Sequence, residues 1–341
     1  MNILMIADFR NDHPRLLSNN SRKFAKGFLR NGHDVLSFSY REVMEQQSPL
    51  KGKSLSRLLA KDKTDRLLAT LARHHQSDLV FITTYKLFDA HSLQLLKQTL
   101  PRARFVFWYG DMRPGLDPRV VEIGRACELF LATSSGHVLR AYRAAGIPRA
   151  GFLPNTCDPD LEHPYVDIPA SFRVPIAFIG KLLHGHDGQD PDRERIIQRL
   201  VAEKGMKTYG CQGGPRVDGL DFLHAAAGAD LALSINAYND VRLYHSDRLV
   251  IMLACGPMVL AKRVPDSDLL FQDGEHLRYF DTAEECLELA DFYLRHPADR
   301  LRIAQAGCAY AHAHYHPQRL AKCLLDLLET GATPEPWCEV I

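Results

Sequence analysis

The run Ser246-Asp247-Arg248-Leu249-Val250-Ile251-Met252-Leu253-Ala254-Cys255-Gly256 places a capping serine, a cation and a closing glycine around an apolar stretch. A helix that starts at Ser246 and stops at Gly256 leaves backbone N–H groups free beside the Arg248 guanidinium, the chemistry of a phosphate or diphosphate site. The competing reading is a routinely capped buried helix with Arg248 in a salt bridge. Gly180-Lys181 and the polar loop that runs on to Arg193 form a second candidate. Glycine permits close backbone approach to a ligand, and Lys181 or Arg193 could neutralise phosphate charge. The histidines and aspartates of that loop (His184, His186, Asp187, Asp190, Asp192) lack a recognised metal-ligand spacing, so a polar loop describes them better and no metal site is expected. For a base acting on a hydroxyl, Asp111, Asp8 and His13 stand just past apolar runs, although a strand-end acid more often caps or turns the chain. Tyr209, Tyr238 and Tyr244 could stack on a nucleobase or simply pack. Gly210 follows Tyr209 directly, and Asn236 opens a segment through Tyr244-His245 that could contact base, ribose or sugar or be only a long loop.

Most of these residues stand at or beyond the ends of short apolar runs. The runs are Ile3 to Ala7, Val35 to Tyr40, Leu79 to Thr83, Phe105 to Tyr109, Leu129 to Thr133 and Gly151 to Leu153. A second set comprises Ile176 to Ile179, Lys207 to Tyr209, Leu231 to Ile235, Met258 to Ala261 and Leu277 to Phe280. Segments of helical period alternate with them, beginning with Arg22 to Arg30, which ends at Asn31-Gly32, and closing with Ala283 to Leu294, Pro297 to Ala311 and Pro317 to Glu329. Strand-helix alternation predicts βαβ units and parallel sheets, whose ligands bind outside the carboxyl ends of the strands. Cys157 to Pro164, followed by Pro169 and Pro175, resists both helix and central strand, so the break between two α/β domains is expected at 157–175. The expected division is 1–156, 176–315 and a tail of 316–341.

At 341 residues, two cores are the first expectation, and 46% hydrophobic with 24% charged residues is ordinary for a globular chain. Lys plus Arg number 42 against 41 for Asp plus Glu, which disfavours a nucleic-acid binder held by a global basic field. The apolar start is too short for a signal sequence and lacks a basic flank, and the eight cysteines show no CxxC spacing, so a cytoplasmic protein with reduced thiols is expected. Neither GxGxxG nor GxxxxGK[ST] is present. Segment 51–75 carries Lys51, Lys53, Arg57, Lys61, Lys63, Arg66 and Arg73 against Asp62 and Asp65, with leucines at helical spacing. It reads first as the solvated face of a docked helix, and otherwise as a peripheral contact with the inner face of a membrane or a steering surface for an anionic acceptor.

The second half resembles the GT-B glycosyltransferases, and within them the CgeB-like group related to glycosyl transferase group 1. The residues that carry the resemblance are Ala177-Phe178-Ile179-Gly180 with Arg193, Tyr209-Gly210, Leu233-Ser234-Ile235-Asn236 and Arg248 with Ala254-Cys255-Gly256. They continue with Leu270-Phe271-Gln272-Asp273-Gly274-Glu275-His276-Leu277, then Tyr293 to Arg300, His314-Tyr315 and Arg319. The first half agrees through Trp108-Tyr109-Gly110-Asp111, Ala145-Gly146-Ile147 and Leu153-Pro154-Asn155. The resemblance implies two Rossmann-like doubly wound domains facing a central cleft, with a final helix crossing back to the first. It implies a metal-independent glycosyltransferase with no cofactor: the C-terminal domain binds a nucleotide-diphosphate sugar through Gly180, Lys181, Arg193, Tyr209, Gly210, Asn236, Tyr244, Ser246, Asp247, Arg248 and Gly256, and the N-terminal domain binds a glycan or other hydroxyl acceptor. Relatives in the broader group often carry Glu-x7-Glu, but those positions are Leu243 and Ile251 here, which leaves retention or inversion open. The rival readings are a nucleotide-sugar epimerase of the same fold and a catalytically silent nucleotide-sugar-binding module.

Overall fold

The computed structural model describes residues 1–9, 19–49, 53–182 and 189–341, with the backbone alone for 53–58. The chain forms two compact units, Met1–Leu153 with Pro317–Ile341, and Pro154–His316. The first begins β1 (Asn2–Ala7), α1 (Asn20–Arg30), β2 (Asp34–Ser39), α2 (Tyr40–Gln47), α3 (Lys53–His75) and β3 (Leu79–Ile82). It continues with α4 (Ala90–Thr99), β4 (Arg104–Tyr109), α5 (Pro118–Ala126), β5 (Leu129–Ala132), α6 (His137–Ala144) and β6 (Ala150–Phe152). The second unit holds β7 (Val174–Ile179), α7 (Asp192–Lys204), β8 (Lys207–Tyr209), α8 (Leu220–Ala227), β9 (Ala229–Ser234) and α9 (Asp247–Cys255). After these come β10 (Met258–Lys262), β11 (Arg278–Phe280), α10 (Ala283–Arg295) and α11 (Pro297–His314). The last helix, α12 (Pro317–Thr330), belongs to the first unit.

Both sheets are parallel, in the orders β2-β1-β3-β4-β5-β6 and β11-β10-β9-β7-β8. Parallel strands covered by helices on both faces read as continuous apolar runs, and β3 and β5 are buried at every residue. Chain direction across each sheet reverses once, between β1 and β3 and between β7 and β9, and these switch points are where an open α/β sheet leaves room for a ligand. Pro175 was expected to lie outside a strand but stands in β7. It is the second residue of that strand, between Val174 paired with Ala229 and Ile176 paired with Leu231, where a missing donor is tolerated.

In the first unit, Asn19 caps α1 by accepting the Arg22 amide, and Phe24 and Phe28 then meet Phe81 edge-on at 5.3 and 5.7 Å. Helix α12 lies on the same helix so closely that a Cβ on Gly27 would fall 2.1 Å from the Pro317 carbonyl oxygen. Arg104 and Arg149 donate to the Leu328 carbonyl at 3.0 and 2.9 Å, placing cations at the negative end of α12. Beyond it the tail pairs with β6, the Phe152 amide donating to Glu339 and the Ala150 amide to Ile341, so this edge of the sheet is covered. In the second unit Ile176, Phe178, Leu231, Leu233, Met258 and Leu260 from the sheet pack with Ile196, Ile197 and Leu200 of α7. All eight cysteines are free thiols. No described helix is long and apolar enough to cross a membrane.

Candidate functional site

The carboxyl ends of β7 and β9 carry two arginines. Arg193, in the first turn of α7, is 4% exposed; its Nε donates to the Ile235 carbonyl at 3.3 Å and its Nη2 to the Lys181 carbonyl at 2.8 Å. It therefore ties the chain leaving β9 to the chain leaving β7, across the switch point. Arg248, in the first turn of α9, donates from Nη1 to the Ile179 carbonyl at 2.6 Å and from Nε to the Ser246 hydroxyl at 3.2 Å. The buried Phe178 ring serves both cations, with the guanidinium carbons 5.6 and 5.8 Å from its centroid. Neither arginine forms an ion pair with a carboxylate among the described residues. Burial, and after it the neighbouring Arg248 charge, pushes the Arg193 guanidinium down to about 10. Two cations that repel each other at a strand end, without an ion-paired acid among the described residues, have the chemistry to attract an anion.

Gly180 makes this arrangement possible. A Cβ there would stand 2.0 Å from Arg248 Nη1. Gly210 lies beside it, with a φ of +89° and an added Cβ 3.2 Å from the Gly180 carbonyl oxygen; its amide donates to Pro215 at 2.9 Å and so is spent on its own loop. The side chain of Lys181 is exposed while its carbonyl holds Arg193. The Ser246 hydroxyl, expected to cap α9, makes no cap bond and accepts Arg248 instead. Asp247 is exposed in the first turn of that helix.

Asn236 does not present itself to a ligand. It is 2% exposed, its Oδ1 accepts the Ser246 amide at 3.0 Å, and its Nδ2 donates to the Tyr244 carbonyl at 3.1 Å. One side chain thus fixes the loop that delivers Ser246 and Arg248. Asn155 adds a bond to the His245 carbonyl at 3.0 Å, and the His245 imidazole, fully enclosed, is driven by burial down to about 3 and stays neutral. Tyr244 is half-buried with its carbonyl in the same staple.

Two expected donor contacts fall elsewhere. The Tyr209 ring is 2% exposed and leans on Phe172 at 6.0 Å, so its faces are occupied by protein and no base can stack there; Tyr238, at 6% exposed, is similarly enclosed. Gly256 closes α9 with a φ of +98°, packed against Pro164 at the opposite end of the helix from Arg248. A helix of nine residues separates its ends by about 12 Å, so Gly256 terminates the element and does not touch the arginine site. The sequence reading missed the Phe178 platform and a cavity of about 380 Å³ in the same unit. Gln189, Asp190, Pro191, Asp192, Asn239, Asp240 and Lys262 line it, with Asn239 donating to Asp190 at 2.8 Å. The polar character of the strand ends was the available signal; that Asn239 reaches Asp190 across the sheet was not.

In the first unit Asp8 follows β1 at the switch point, where Ser21 and Thr83 share a hydroxyl bond of 2.8 Å. Asp111 is exposed, two residues beyond β4 and paired with Arg113 at 3.1 Å. Because β3 lies between their strands, Asp8 and Asp111 leave the sheet about 10 Å apart and do not form one cluster. His13 lies outside the described residues, as do His184, His186 and Asp187. Among the described residues no group of three or more His, Cys, Asp or Glu side chains is placed to hold a metal ion.

Residues 189–326 match a family model described as glycosyl transferase-like. Solved structures superpose over nearly the whole chain. HepE of Anabaena in complex with UDP aligns at 14% identity and a TM-score of 0.59, covering 97% of this chain and 100% of that one. Sucrose-phosphate synthase of Thermosynechococcus elongatus aligns at 13% and 0.64, covering 96% and 98%. An alpha-glucosyltransferase in complex with UDP and a 13-mer DNA aligns at 12% and 0.63, covering 96% and 99%. The fold is GT-B. No curated protein sequence matches the chain. The family match covers most of the second unit, Arg193 and Arg248 included, and runs on into α12.

Proposed function

We propose that this protein is a glycosyltransferase that takes its sugar from a nucleoside-diphosphate sugar bound by the second unit, and that it neutralises the diphosphate with side-chain cations in place of a metal ion. The observation that carries the reading is the pair Arg193 and Arg248 at the switch point, without a carboxylate partner among the described residues. Departure of a nucleoside diphosphate concentrates negative charge on the leaving oxygens, and fixed guanidinium donors stabilise that charge more as it develops. Arg248 sits in the first turn of α9, so the partial positive end of the helix adds to its charge. Arg193 is the buried, immobile member, and Arg248 the half-buried one with Nη2 left over for a ligand. Structures of similar fold support the donor class, since HepE was solved with UDP-glucose as well as with UDP.

We assign the acceptor hydroxyl to the first unit, with Asp8 or Asp111, the strand-end carboxylates, as the candidate base for its proton. Asn236 and Gly180 act through Arg248 and are positioning residues. The protein acts at the cytoplasmic side, where nucleotide sugars are made. The deciding experiment is a thermal-shift panel of UDP-, GDP-, ADP-, dTDP- and CMP-sugars, followed by detection of released nucleoside diphosphate with hydroxyl acceptors supplied. Stabilisation by a nucleoside-diphosphate sugar, abolished in Arg248→Ala, is the expected result. No stabilisation by any member, or an unchanged response in Arg248→Ala, overturns the donor site. Isomerisation of donor with no acceptor present would instead identify an epimerase.

A further inference from the structure

We propose that the exposed face of α3 docks on the surface of an anionic lipid bilayer. The inference goes beyond the transferase reading and does not rest on it. Helix α3 buries Ala60, Thr64, Asp65, Leu68, Ala69 and Ala72, packing on α2 and α4. The buried side also carries the network in which Lys61 bonds Asp65 at 2.8 Å and Asp89 at 3.0 Å, so the helix is fully anchored from that side. Yet Leu59 and Leu67 turn away from that side, 48% and 38% exposed, while Leu71, between Ala60 and Thr64 on the helical wheel, is 36% exposed at its border. The fold covers each of them only in part.

At about 100° per residue, Leu59, Lys63, Arg66, Leu67, Thr70, Arg73 and His74 fall within one arc of about 120°. Thr70 lies at its middle, with Leu59 between Arg66 and Thr70, Leu71 about 40° beyond one edge past the buried Ala60, and the acidic Asp62 about 20° beyond the other. Lys63, Arg66 and Arg73 form no ion pair among the described residues, whereas Lys61 on the buried side is paired twice. Aliphatic side chains set among unpaired cations match a membrane interface: the leucines enter the boundary between headgroups and acyl chains, and the long cationic stems lie along it while their heads reach lipid phosphates. A nucleic acid or an acidic protein surface would use the cations and leave the leucines idle.

The test is flotation of the full chain with vesicles of phosphatidylcholine alone and of phosphatidylcholine with phosphatidylglycerol, at low and high salt. Binding to the anionic vesicles only, lost at high salt, is expected. The triple variant Lys63→Gln, Arg66→Gln, Arg73→Gln should weaken it on the order of 100-fold, from about 1 kcal/mol per cation at an anionic surface. The double variant Leu59→Ser, Leu67→Ser should weaken vesicle binding while leaving retention on a heparin column unchanged. Equal partition into both vesicle types, or none into either, overturns the proposal. So does vesicle binding indifferent to the leucine variant, which would make the face a general polyanion surface.

Discussion

Replacing Gly180 by alanine probes the arginine site without touching an arginine. Gly180 has no positive φ, so alanine is compatible with its backbone, and the perturbation is confined to the new methyl group. That group would stand 2.0 Å from Arg248 Nη1 and 3.0 Å from the Phe178 ring edge. The guanidinium must therefore leave the Ile179 carbonyl, which it now meets at 2.6 Å. A hydrogen bond from a charged donor contributes about 1.5 to 3 kcal/mol, so affinity for the best nucleoside diphosphate should fall about 10- to 150-fold. Isothermal titration of wild type, Gly180→Ala, Arg248→Ala and the double variant forms a cycle. If the glycine acts by seating Arg248, the double variant binds no worse than Arg248→Ala alone. Additive losses would refute that reasoning, because they would mean the glycine serves the ligand directly.

Acidification should destabilise the second unit through His245. Its folded value of about 3 lies below the unfolded 6.5, so the unfolded chain binds the extra proton between them. Stability is complete above about pH 6.5 and is lost as pH falls, by about 2 kcal/mol at pH 5; urea unfolding at both pH values checks this, and His245→Asn should flatten the slope. Gly27→Ala should cost about 1 to 3 kcal/mol, read as a lower melting temperature, because the rigid Pro317 carbonyl blocks the methyl at 2.1 Å. Asp8→Asn or Asp111→Asn, whichever removes the base, should lower turnover at least about 100-fold with nucleotide affinity unchanged, measured by steady-state kinetics beside titration.

The strands were legible because both sheets are parallel and covered: Leu79 to Ile82 and Leu129 to Ala132 have no polar face to disguise them. Helix ends with a local chemical cause were equally plain, as at Asn31-Gly32. Arg193 and Arg248 could be picked out, but their relation could not. It depends on Phe178 and on carbonyls at or just past the ends of β7 and β9, residues far apart in the chain that only the sheet brings together. Ser246 shows the same limit at short range. Its hydroxyl had two potential donors, the first-turn amides and Arg248, and tertiary geometry chose the guanidinium. Tyr209 and Asn236 were read as ligand contacts because polar and aromatic types at strand ends suit that role; their burial follows from Phe172 and from the 236–246 loop folding onto itself.

The seating of α12 on α1 also fixes an order of events during synthesis. The second unit is one continuous segment and emerges whole from the ribosome before the first unit has received its last helix. Until Pro317 and the residues after it appear, the Gly27 strip of α1 and the edge of β6 remain uncovered. The unit translated first is therefore the unit completed last, and a chain cut short before residue 317 would present an apolar helix face and an open strand edge to the protein-quality machinery of the cell.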